Sequence, residues 1–261
     1  MPARGSRGPI VWPLVLVLAG VALLLNNFLL LSGFNLTALW PLLLVVAGAF
    51  ILLRGDLIPR GEGAAFGITR GSVESATLEV SAGEIDVNAR PLQREGRLIA
   101  GQFAADSRPD LQVTDTHAVL KMDRAATPWL SFADWELGLS PDLPWQLYVS
   151  SHLGQLRLDL SGLIIAEGVI ASGIGDIRLV CPMETMGPIR LQSALGNIHV
   201  STPDGYNSRI TTRKSRLFSV QADEARYDEV EPGVFVSRDN DEGAPQIEVT
   251  VTGTFGDAYL T

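Results

Sequence analysis

Three octapeptides in this chain share one pattern at one spacing. They are Ser151-His-Leu-Gly154-Gln-Leu156-Arg-Leu158, Ser172-Gly-Ile-Gly175-Asp-Ile177-Arg-Leu179 and Ser193-Ala-Leu-Gly196-Asn-Ile198-His-Val200. Serine and glycine both recur every 21 residues with no slippage. A fixed period in this range signals stacked, quasi-one-dimensional architecture. After each glycine the residues alternate polar and apolar, the two-residue period of a strand with one buried face. Stacking the units places Leu156, Ile177 and Ile198 in one buried column and Leu158, Leu179 and Val200 in another. Gly154, Gly175 and Gly196 then form a turn column where every rung needs a positive φ. Gln155, Asp176 and Asn197 form a polar column, and Arg157, Arg178 and His199 an exposed one.

The same alternation extends on both sides. Thr77–Val80, Glu84–Asn88, Arg97–Phe103, Asp110–Asp115, Ala118–Asp123, Trp135–Leu139 and Trp145–Val149 read as strands ahead of the regular rungs, which occupy about 151–213. Gly83-Glu-Ile85-Asp-Val87 repeats the rung signature. Gln246–Val251 and Gly256–Leu260 repeat it again, and the flanking strands are expected to cap the stack. Asp56–Gly71 reads as a polar connector. No segment beyond residue 60 sustains a 3.6-residue apolar period. The expectation is an all-β domain over 61–261, a single-stranded β-solenoid with rungs of about 21 residues.

Ahead of that domain, Ile10–Leu53 carries no charged side chain. Ile10–Leu31 is long enough to cross a bilayer as a helix, Ser32–Asn35 breaks it, and Leu36–Leu53 is long enough to return. Residues 1–60 therefore read as a transmembrane helical hairpin, with helices at about 10–31 and 36–53. No acidic or basic residue lies within either span, so the hairpin reads as an anchor and not as a transport path. Arg4 and Arg7 precede it, Arg54 and Arg60 follow it, and its tip is uncharged. The positive-inside rule puts both termini and the C-terminal domain in the cytoplasm. A cleaved signal peptide built on Val11–Leu25 is the competing reading. Leu24-Leu25-Asn26-Asn27 lacks the small-x-small cleavage pattern it would need.

The segment beyond the apolar run holds 18 basic and 29 acidic residues, a balance of −11. That is a poor surface for nucleic acid or for an anionic membrane surface. The single cysteine, Cys181, excludes an intrachain disulfide and reads as core packing. His117, His152 and His199 are out of phase with one another and do not line one metal site. No nucleophile elbow, P-loop or dinucleotide motif is present. Only one residue of the Gln155, Asp176, Asn197 column is acidic, against the paired carboxylates that a polysaccharide-cleaving groove needs. Arg209, Arg213, Lys214 and Arg216 read as a solvated strand edge, with docking of an acidic partner as the alternative. Trp129, Trp135 and Trp145 read as a cap on the core. No catalytic residue, cofactor, metal or small-molecule substrate is indicated.

Two regions together carry a family resemblance. Leu39-Trp-Pro-Leu-Leu-Leu-Val-Val-Ala-Gly48, after Asn26-Asn27, resembles the transmembrane region of LiaI- and LiaF-type bacterial envelope-stress proteins. Trp145–Leu160 and the Ser-x-x-Gly-[Asp/Asn]-Ile rungs resemble the toast-rack β-repeat domain at the C-terminus of LiaF-like proteins. The resemblance implies a bacterial cell (inner) membrane protein with a non-enzymatic role, since LiaF-like proteins modulate a two-component system that answers cell-wall-active agents. LiaF proper has more transmembrane helices than the two read here. The functional expectation is a membrane-anchored sensing or scaffolding module in envelope-stress signalling. A self-assembling structural β-solenoid and an extracytoplasmic carbohydrate-active protein are the alternatives. The expected partners are the bilayer and either another protein or a second copy. The expected contact surface is Gln155, Asp176 and Asn197 with Arg157 and Arg178.

Overall fold

The computed structural model describes residues 64–93, 96–103, 109–123, 134–213, 215–238 and 243–261. They belong to one unit of the chain, Ile58–Thr261. The two expected spans lie outside the described residues, as do Trp129 and Lys214. No helix among the described residues is long and apolar enough to cross a membrane.

The described part is all β. Its first strands are β1 Ala64–Thr69, β2 Ser75–Ser81, β3 Asp86–Pro91, β4 Arg97–Phe103, β5 Asp110–Thr114, β6 His117–Asp123 and β7 Asp134–Leu139. The repeat follows as β8 Pro144–Leu153, β9 Leu156–Asp159, β10 Ile164–Ile174, β11 Ile177–Val180, β12 Glu184–Thr185, β13 Ile189–Leu195 and β14 Ile198–Ser201. The chain finishes with β15 Asn207–Arg213, β16 Phe218–Ala222, β17 Tyr227–Glu231, β18 Val234–Ser237 and β19 Gln246–Leu260. Each rung is a pair of strands. One lies in a first sheet that holds β3, β9, β11 and β14, and the other in a second sheet that holds β2, β8, β10 and β13. Parallel neighbours stack in register. Ile177 lies between Leu156 and Ile198, and Leu179 between Leu158 and Val200, as the 21-residue spacing predicts.

All six of those side chains are buried. Burying a side chain of this size contributes about 1.5–3 kcal/mol. Exposed ion pairs such as Arg190–Glu167, at 3.1 Å and half-exposed on both sides, contribute about 0–1 kcal/mol. The apolar columns therefore hold the stack. Trp135 and Trp145 are wholly buried in the same core. Trp145 Nε1 donates to the Ser140 carbonyl at 2.8 Å. Phe218, Tyr227 and Phe235 belong to the same core.

Rung order departs from chain order at both ends. Along the stack the order is β6–β7, β2–β3, β8–β9, β10–β11, β13–β14, the two halves of β19, and then β15–β16. Spacing alone would stack Ile210 directly on Ile189. The two are in phase, but Val249 of β19 lies between them. The final strand is thus an interior rung and not a cap. Its Val249, Val251, Ala258 and Leu260 are buried between neighbours on both sides. Antiparallel strands close the ends of the second sheet: β5 on β6 at one, and β18 with β17 on β15 at the other. Ala64–Thr69, expected within the connector, is a strand antiparallel to β4. Its sequence AAFGIT offers only Phe66 and Ile68 as large apolar side chains, too short an alternation to stand out.

Candidate interaction surface

The corner that joins the two sheets organises the polar columns. Gly154, Gly175, Gly196 and Gly256 hold φ of +154°, +141°, +147° and +123° there. A Cβ on Gly175 would run into the Gly154 carbonyl of the rung below, and one on Gly196 into the Gly175 carbonyl. Glycine is therefore required twice over, by the backbone conformation and by rung-to-rung approach. The rung of β2 and β3 turns differently. Val87, not Ile85, pairs with Leu156, so Ile85 occupies the place of Gly154. The Gly83–Val87 signature is offset by two residues from the true register. Ala82 and Ile85 are buried at this corner.

Immediately after the corner the polar column forms a ladder. The Gln155 N–H donates to Asp86 Oδ1 at 2.7 Å. The Asn197 N–H donates to Asp176 Oδ1 at 2.9 Å, and the Asp257 N–H to Asn197 Oδ1 at 3.1 Å. Gln155 Oε1 accepts instead from the Arg157 guanidinium. The column members are half-buried, and their side chains cap main-chain donors of the next rung. Asp86 and Asp257 were not expected as members. Asp86 sits behind the offset Gly83 signature, whereas Gly256-Asp257 copies Gly175-Asp176 and signalled its place.

The neighbouring column, Arg157, Arg178 and His199, continues with Tyr259. His199 and Tyr259 stack with ring centroids 4.8 Å apart. Arg157 lies 3.9 Å from the Asp86 carboxylate. Arg178 is exposed and has no ion pair among the described residues. Structure therefore brings all five expected contact residues onto one outer face, but only Arg178 is uncommitted there. Arg209 pairs with Glu231 at 3.7 Å.

The three histidines are separate. His117 is held between Ser75 Oγ at 2.8 Å and Thr77 Oγ1 at 3.0 Å on the second sheet. His152 is exposed at the corner. Cys181 lies in a buried polar knot: its Sγ is 3.7 Å from Thr202 Oγ1, which also accepts from Tyr227 OH at 2.8 Å. Burial pushes the Cys181 thiol up to about 12, against the opposing pull of the Thr202 hydrogen bond. Burial likewise raises the Tyr227 phenol. Such a thiol is protonated and inert at neutral pH.

With this geometry in hand, the likeness to known proteins is specific. Residues 11–72 match the LiaF transmembrane domain, which indicates a membrane protein. Residues 68–201, just over half the chain, match the N-terminal domain of toast_rack, DUF2154. Among solved structures, a candidate cell adhesion protein from Clostridium sporogenes aligns with TM-score 0.66 at 16% identity, covering 76% of this chain and 97% of its own. At that identity the likeness shows the fold alone. A candidate adhesin from Bacteroides fragilis aligns with TM-score 0.32 at 9% identity, covering 78% and 100%. No curated protein matches the chain. The 21-residue rungs and corner glycines agree with the two domain matches: the chain belongs to the toast-rack family, with a LiaF-type transmembrane domain ahead of its β-repeat domain.

Proposed function

We propose that this protein is a non-enzymatic, membrane-anchored sensing and scaffolding module in bacterial envelope-stress signalling. The observation that carries the reading is the joint match to a LiaF transmembrane domain over 11–72 and a toast-rack domain over 68–201 in one chain. The ladder adds chemical support. Asp86 and Asp176 spend carboxylate oxygens on main-chain N–H groups of the next rung, which is a structural use. In this reading residues 1–60 form the hairpin anchor, both termini and the β domain are cytoplasmic, and the outer face along Gln155, Asp176, Asn197, Arg157 and Arg178 receives a partner protein. Arg178 offers the free charge for an acidic contact on that face.

A reporter fused after Thr261, active only in the cytoplasm, tests the topology. Activity is expected. An inactive reporter whose activity appears only in an export-competent format would overturn the assignment, and with it the class of partner. Co-purification from detergent under cell-wall stress is then expected to recover a signalling protein. The Arg178→Glu variant is expected to lose it about tenfold, the effect of 1.4 kcal/mol at a contact charge.

A further inference from the structure

Each corner glycine is preceded by a large apolar residue, and the stack aligns these residues into a row. Leu153, Ile174, Leu195 and Phe255 are in register across consecutive rungs. Leu217 joins them, because Phe218 lies opposite Gly256 and the Gly256 N–H donates to the Leu217 carbonyl. In-out alternation would turn Leu153, Ile174 and Leu195 inward with the buried serines two residues earlier. The corner interrupts the alternation and splays them away from both sheets. They are 49%, 50% and 51% exposed, with Phe255 at 45% and Leu217 at 61%. At about 4.8 Å per rung the row is about 19 Å long. An exposed apolar run of this kind on a soluble domain marks an interaction site.

We infer that this row is a membrane-contacting ridge that inserts its side chains into the bilayer interface; the inference rests on the anchored reading above. Three observations select the bilayer over a protein occupant. The row is one side chain wide: the corner glycines border it on one side, and on the other Gly173 and Ala194 border its middle, with His152, Thr254 and Arg216 at the remaining rungs. Two such lines from two copies cannot bury the roughly 800 Å² per partner typical of a stable dimer, whereas a deformable lipid interface accepts apolar side chains singly. The transmembrane match runs to residue 72, into the described domain itself, so the ridge is tethered to a bilayer. Finally, exposed Arg213 and Arg216 adjoin the Leu217 end. They suit lipid phosphates. Asp176 and Asp257 lie nearby, but each carboxylate accepts a hydrogen bond within the protein. Glu84 occupies the equivalent corner place in the rung beyond Leu153 and ends the row.

The test uses the full chain reconstituted into vesicles of phosphatidylcholine and phosphatidylglycerol that carry brominated acyl chains. Buried Cys181, its thiol pushed up to about 12, leaves an introduced cysteine as the labelling site. An environment-sensitive fluorophore on Ile174→Cys is expected to be quenched about twofold or more relative to the same label on Glu248→Cys, an exposed position at the far end of β19. Adding Leu195→Asp with Phe255→Asp, both at exposed sites, should abolish the quenching while the protein still floats with the vesicles. A floating protein with an unquenched Ile174→Cys label overturns the ridge and leaves the anchor standing. Energy transfer between labelled copies without lipid quenching assigns the ridge to self-association instead and equally overturns it. Quenching that persists in the double aspartate variant also counts against it. A protein that fails to float overturns both the ridge and the anchor.

Discussion

At the residue scale the corner glycines decide whether rungs can stack. Gly175 combines a φ of +141° with a neighbouring carbonyl in the space a Cβ would take. Gly162 has a φ of +78° with nothing within 4 Å of such a Cβ. The two positions separate conformational strain from steric exclusion. Gly162→Ala is expected to cost about 1 kcal/mol, from strain alone. Gly175→Ala is expected to cost about 3 kcal/mol or more, since the backbone of two rungs must part. Urea unfolding of both variants measures this, and equal losses would mean that rung approach does not select glycine. These glycines were legible from spacing, because the same steric demand recurs in every rung. The ladder was legible only in part. Gln155, Asp176 and Asn197 are in phase, but their acceptor role depends on which main-chain N–H lies opposite, and that is a property of pairing.

At the scale of elements, β19 is the strand on which the C-terminal half depends. It pairs with β13 and β15 in one sheet and with β14 and β16 in the other. Deleting Gln246–Thr261 removes the buried side chains Ile247, Val249, Val251, Ala258 and Leu260 and opens two sheet edges. Loss on the order of several kcal/mol follows from their burial. Hydrogen exchange is expected to show β13 and β15 losing protection together. A deletion variant in which β13 stays protected would show that pairing with β10 suffices to hold it. The alternation of β19 was legible as a strand. Its position was not, because a 21-residue period states phase and leaves open which rung a segment joins. β1 escaped notice for a different reason: its edge position and small residues carry little periodic signal.

For the molecule as a whole, stacked rungs raise the question of their ends. The outermost described strand at one end, β17, presents Asp228, Glu229 and Glu231. Charges on an edge strand oppose pairing with another sheet. Asp228 also binds Arg238 at 2.6 Å, and Glu231 binds Arg209. The double variant D228T/E231T is expected to associate into larger species in detergent, measured by light scattering, while the parent does not. A variant with unchanged mass would place the barrier to end-to-end growth elsewhere. This capping covers the second sheet at that end; in the first sheet β16, with the uncharged sequence FSVQA, pairs with β19 alone among the described strands.

By itself the sequence determined the strand-rich fold class, the phase of the rungs, the two buried columns and the glycine corner. All of these follow from local sterics and the two-residue period of a strand. Tertiary structure alone decided the order of the rungs, the insertion of β19 between β13 and β15, the commitment of the polar column to main-chain donors and the exposure of the residues before each glycine. Those outcomes turn on which strands meet and where a corner reverses the facing of a side chain, and the energies that settle them come from burial between segments as far apart in sequence as Ile189 and Val249.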